Sequence, residues 1–147
     1  MAENKIEVFS LGVRSVGLEK RVKFTANKAL VFLNKLNRGL EVYLLDSKRM
    51  KEVNERFRGK NTPTNVLSFE AVPLKIFFRV NENNRARFRD LGEVYLCPSY
   101  IARNKESLDK LLIHGILHLL HYQHDKKNDT IEMEKLEEKI FRKLGLD

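Results

Sequence analysis

Cysteine is almost absent from this chain of 147 residues: Cys97 is the only one. A single thiol closes no intramolecular disulfide, so the fold must be held by its core, and a reducing, cytoplasmic setting is expected. Long apolar runs are also missing. No stretch of eighteen occurs, which argues against a membrane-spanning helix and against a membrane partner. The opening residues, Met-Ala-Glu-Asn-Lys-Ile-Glu, lack the apolar segment of a secretion signal. There is no internal repeat, low-complexity tract or linker. The expectation is a single domain spanning 1–147, long enough to bury a real core.

Basic charge is plentiful. Lys and Arg number 28 against 20 Asp and Glu, a formal net charge of +8. After Asp125 the two signs are balanced at six each, so the whole excess lies in residues 1–125. A basic excess favours an anionic partner, chiefly nucleic acid, although an ordinary solvated surface has the same composition.

Histidine is scarce but concentrated. All four lie in His114-Gly-Ile-Leu-His118-Leu-Leu-His121-Tyr-Gln-His124. Leu108, Leu111, Leu112, Gly115, Ile116 and Leu119 recur at helical spacing, so this run is read as an amphipathic helix against the core. Histidines four apart share a helix face, and His114 and His118 can direct both rings at one metal ion. His124 supplies a third ligand if the chain turns after His118. Three ligands leave one tetrahedral corner open, the pattern of a catalytic zinc site. His114, His118 and His121 on one straight helix would converge poorly on one ion, so His121 is assigned an outer, supporting role. A peptidase of the H-E-x-x-H type is disfavoured, since its glutamate base is Gly115 here. A closed structural zinc site would need His121 as fourth ligand.

The remaining pattern alternates strands and helices. Strands are expected at Ile6–Leu11, Leu40–Leu45, Val66–Phe69, Lys75–Val80 and Glu93–Cys97. Helices are expected from Leu18 to Leu36, ended by Gly39; after Ser47 as its cap, with Met50, Val53 and Phe57 facing inward; from Pro98 to about His121, broken near Asn104; and from Asp129 to Gly145. Arg85, Arg87 and Arg89 follow the turn residues 81–84 at period two. With Arg79, Phe77, Phe78 and Phe88 they form either a phosphate-tracking basic hairpin or an ordinary one with solvated arginines. The fold class expected is α/β, α+β-like in layout: a small, mostly parallel mixed sheet covered by helices, with the metal cleft formed by a C-terminal helix.

The histidine run resembles the YbeY family of metal-dependent endoribonucleases acting in rRNA maturation, whose motif is H-G-x-L-H-L-x-G-Y-D-H. Two further blocks carry the likeness. Arg58-Gly-Lys-Asn-Thr-Pro63-Thr64-Asn65-Val-Leu-Ser68-Phe69 is similar to R-G-K-x-x-P-T-D-V-L-S-F, and Leu91-Gly92-Glu93-Val94 to L-G-D-I. The blocks stand in family order from about residue 40 onward. The chain departs from the pattern at His121 for glycine, Gln123 for aspartate and Asn65 for aspartate.

The resemblance implies a single-strand-specific, metal-dependent hydrolysis of RNA in rRNA maturation and ribosome quality control. It implies one Zn2+ per chain on His114, His118 and His124, and Arg58 as the functional arginine. Lys60, Arg85, Arg87 and Arg89 are candidates for RNA contact, and His121 and Asp125 for outer partners of the ligands. Asp125 and Glu93 are both considered as general base, with the 2′-hydroxyl of RNA as the alternative nucleophile. Ribosomal proteins or ribosome-associated factors are the partners expected beside rRNA. The competing reading is a metal-stabilised RNA-binding assembly factor without catalysis.

Overall fold

The computed structural model describes residues 3–14, 16–71, 89–122 and 127–145. The expected strand Lys75–Val80, the turn at 81–84, and Arg85, Arg87, Gln123, His124 and Asp125 lie outside them. Four strands form one sheet in the order β1-β2-β4-β3. These are β1 (Lys5–Leu11), β2 (Arg38–Leu45), β3 (Val66–Glu70) and β4 (Arg89–Leu96). β1 and β4 run parallel to β2, and β3 runs antiparallel to β4. The mostly parallel mixed sheet is as expected. Five helices accompany it among the described residues: α1 (Val16–Phe32), α2 (Ser47–Arg58), α3 (Pro98–Arg103), α4 (Leu108–Leu119) and α5 (Lys127–Lys143).

The strands show why one face is dry. Ile6, Val8, Leu40, Val42, Leu44, Val94 and Leu96 alternate onto the face that α1, α4 and α5 cover. α4 is buried more completely than a one-sided amphipathic helix. Ile113 and Leu117, outside the expected stripe, are fully buried together with Leu112 and Ile116. The reason is position: α4 packs on β3 and β4, on α1 and on α5, so several of its sides face the core. Each such side chain contributes about 1.5–3 kcal/mol relative to exposure.

Among the described residues the other face is covered only in part, where α2 packs Met50 onto Leu45, Leu67 and Cys97. Beyond α2, Phe9, Tyr43 and Tyr95 stack across three strands with centroids 5.2 and 4.8 Å apart. Beside them Glu7, Glu41 and Glu93 stand in register. Tyr43 donates to Glu41 at 3.0 Å and Tyr95 to Glu93 at 2.8 Å. Burial pushes the Glu41 carboxyl above its ordinary value against the Tyr43 hydrogen bond, and the neighbouring carboxylates add to the rise. Burial and those same hydrogen bonds raise both phenols.

Three expectations are corrected. α1 stops at Phe32 rather than Leu36, because Asn34 takes φ 61° and Lys35 N–H bonds Leu30 C=O at 2.8 Å. Asparagine tolerates that left-handed geometry, so the chain turned before reaching Gly39. α2 is capped by Asp46, whose side chain accepts from Arg49 N–H, and not by Ser47. Phe57 is 60% exposed and lies against Phe69 at 5.0 Å instead of entering the core. The break near Asn104 and the stop at Gly145, with φ 71°, are as read from sequence.

Candidate metal centre and cleft

α4 is placed by three local devices. Ser107 caps it, accepting from Lys110 N–H at 3.2 Å. In its first turn Asp109 is fully buried and takes two nitrogens of Arg21 and the hydroxyl of Thr25, both from α1. Farther along, Gly115 faces the sheet. A Cβ there would lie 3.2 Å from Val94 Cγ1 and 3.6 Å from Val66 Cγ2. A glycine in mid-helix costs about 1 kcal/mol against alanine, and the return is close approach to β3 and β4. That approach sets the flanking His114 and His118 at the edge of the sheet.

The two rings meet as their spacing requires. His114 Nε2 and His118 Nε2 are 3.0 Å apart, with centroids at 4.6 Å and planes at 70°. Two nitrogens bound to one tetrahedral zinc at 2.0–2.1 Å would be separated by about 3.3 Å. The pair therefore suits a shared ion with little movement. His114 Nδ1 lies 2.5 Å from Glu137 Oε1 on α5, which leaves Nε2 as the nitrogen facing His118. Among the described residues no third His, Cys, Asp or Glu joins the pair in a ligand set; His124, the expected third ligand, is outside them.

α4 ends in a left-handed turn at His121. Its φ is 71°, its N–H bonds His118 C=O at 3.0 Å, and Tyr122 N–H bonds Leu117 C=O at 2.9 Å. This is the Schellman arrangement that glycine normally serves. The His121 ring is 69% exposed and pairs with Glu70 at 3.2 Å. It borders a small pocket with Lys35, Arg38 and Asp90, not the cleft of His114 and His118.

That cleft has a volume of about 580 Å³ and is lined by Arg58, Thr64, Asn65, the strand β3, His114, Gly115 and His118. Arg58 is thus brought beside the histidines from the last turn of α2. Gly59 ends that helix at φ 71°. Buried Asn54 then donates to Thr62 C=O at 2.8 Å and folds the following loop back. Lys60 is exposed on this loop and does not line the cleft. Asn65 accepts from Val66 N–H at 2.6 Å and donates to the Glu106 carboxylate at 3.2 and 3.3 Å. An aspartate at 65 could not make the second contact, so this departure from the family pattern has its own partner. Glu93 lies in β4 with its carboxylate on Tyr95, and the backbone of Arg89 pairs with Arg38 at the start of β4.

Sequence reasoning missed Glu137. It is one of several glutamates on α5, 23 positions from His114, and no periodic signal separates it from them.

The sequence model of the family described as Endoribonuclease YbeY matches residues 11–145. A relative named Endoribonuclease YbeY from Persephonella marina is 35% identical over 143 residues, covering 91% of this chain and 88% of its own. Another of that name, from Bartonella bacilliformis, is 33% identical over 144 residues, covering 88% and 87%. A solution structure of a Thermotoga maritima protein has a TM-score of 0.55 at 24% identity, over 95% of this chain and 91% of that one. At that identity it speaks for the fold alone.

Proposed function

The chain belongs to the endoribonuclease YbeY family, and from that premise we propose that it hydrolyses RNA phosphodiester bonds in rRNA processing at the cleft between α2 and α4. The observation that carries this is the meeting of Arg58, His114 and His118 on one groove, with the two Nε2 atoms 3.0 Å apart. His114, His118 and His124 would hold one metal ion, which we assign as Zn2+ on the nitrogen donor set. When bound, the ion supplies Lewis acidity, lowering the pKa of water and polarising a phosphoryl oxygen.

The chain's own residues do the rest. The Arg58 guanidinium stays charged and presents a fork matched to phosphate oxygens, so it seats the scissile phosphate and stabilises its developing charge. Thr64 and Ser68 line the cleft with hydroxyls suited to the sugar-phosphate backbone. The basic surface raises the local concentration of polyanion. A single RNA strand is the substrate, with ribosomal proteins or associated factors presenting it in the cytoplasm. Asp125 is retained as an outer partner, and Arg85, Arg87 and Arg89 as RNA contacts. The relatives' shared name disfavours a purely structural RNA-binding role.

The test is cleavage of an rRNA fragment by purified protein, with and without chelator, beside His118→Ala and Arg58→Ala. Cutting that needs metal and fails in both variants is expected. Cutting that persists in His118→Ala, or that ignores chelator, refutes the assignment.

A further inference from the structure

An imidazole offers a metal the lone pair of one nitrogen, and in the neutral ring the other nitrogen carries the proton. Which is which follows from what the protonated nitrogen donates to. At His114 each ring nitrogen has a described neighbour. Nδ1 lies 2.5 Å from Glu137 Oε1, and Nε2 lies 3.0 Å from His118 Nε2. An ionised carboxylate only accepts, so it retains the proton on Nδ1 and turns the Nε2 lone pair toward His118.

The contact is not a surface ion pair. The Glu137 side chain is 17% exposed and the His114 side chain 30%. The next residue shows the contrast. Glu138 is 39% exposed and spans Lys110 at 3.0 Å and Arg142 at 3.1 Å. Lys110 also lies over the Phe141 ring at 4.9 Å. Of two consecutive glutamates on α5, one ties its helix to α4 through Lys110 and the other turns inward onto a histidine. Glu137 approaches the ring at Nδ1, away from the nitrogen that faces His118, so it is no ligand itself.

The geometry points to Glu137 as the positioning residue of the metal centre. Its carboxylate fixes His114 in the tautomer that ligates through Nε2, and it offsets the positive charge the ring gains on donating its lone pair. This rests on the metal site proposed above. It adds that α5, which supplies none of the three proposed ligands, is part of the centre, and that metal affinity depends on the docking of α5 against α4.

The test is titration of the metal-free protein with Co2+, followed by its visible absorption, with Zn2+ competition. Glu137→Gln, Glu138→Gln and His118→Ala are compared with wild type, and the thermal midpoint of each metal-free protein is recorded. Glu137→Gln is expected to bind about 10- to 100-fold more weakly, while Glu138→Gln binds as wild type does and the two metal-free midpoints fall together. Glu137→Gln binding as tightly as wild type, with His118→Ala weakened, overturns the positioning role and leaves the histidine site standing. A loss in Glu137→Gln matched by Glu138→Gln makes both mere packing contacts and also overturns it. Wild type that fails to bind, or His118→Ala that binds equally well, overturns the metal site and this role with it.

Discussion

Arg21 and Asp109 anchor the start of α4, and the two ends of their contact differ in a way that predicts unequal losses. The Asp109 side chain is 1% exposed and that of Arg21 57%. Among the described residues, Arg21→Ala leaves the buried carboxylate facing only the Thr25 hydroxyl. Stripping the partner from a buried charge costs about 3–5 kcal/mol, and water reaching past the vacated arginine sets this case at the lower end, near 3. Asp109→Ala removes the buried charge itself. Arg21 then returns to solvent, and Thr25 can turn its hydroxyl onto the carbonyl one helical turn back. The loss is one charge-assisted contact, about 1.5 kcal/mol. The double variant should be little worse than Asp109→Ala alone, since Arg21 then has nothing left to lose. Urea unfolding at equilibrium measures all three, with the slope unchanged if the transition stays two-state. Arg21→Ala should also lower the thermal midpoint by about 6–12 °C, at 2–4 °C per kcal/mol for a chain of this size. An Asp109→Ala loss equal to or greater than that of Arg21→Ala, or simple addition in the double variant, refutes the reasoning.

His121→Gly should stabilise the protein by about 0.5–1 kcal/mol, because it relieves a left-handed residue whose exposed pairing with Glu70 is worth little; a lower thermal midpoint would contradict this. Gly115→Ala should destabilise by about 1 kcal/mol, the crowding of fully buried Val94 outweighing the gain in helix propensity. A rise in stability would show that the sheet yields. Glu41→Gln should be more stable than wild type at pH 7. The raised carboxyl of Glu41 favours folding while protonated, and that contribution is lost as pH climbs through the raised value. The advantage should vanish below the ordinary carboxylate range; a constant difference across pH would exclude ionisation as its cause.

What sequence reveals here follows the range of the interaction. The i, i+4 spacing of His114 and His118 is a property of one helix, so their meeting at the Nε2 atoms was legible before any fold was known. The alternation of Val42 and Leu44 against Tyr43 marked the dry face of β2 in the same local way. Glu137 was not legible, since its partner lies on a different helix and only packing chooses it over Glu134 or Glu138. The exit of α1 at Asn34 was hidden because asparagine, glycine and a run of polar residues all offered a stop within six positions. Phe57 was misplaced because helical spacing fixes which residues share a stripe but not where the stripe ends, and its ring found Phe69 at the rim.

The strand order has a consequence for how the molecule comes into being. β4 is the last strand of the sheet in the sequence, yet it sits between β2 and β3. Among the described strands, β3 has no neighbour until residues 89–96 arrive, and β2 is paired only with β1. The β2–β4 pairing joins residues about fifty positions apart, the longest separation of the three pairings, so inserting this strand carries the largest loop-closure cost of the sheet. Arg58 precedes it and the histidine helix follows it. The two sides of the cleft therefore come into contact only after the sheet is complete, and a chain stalled partway through folding carries both halves of the site without having the site.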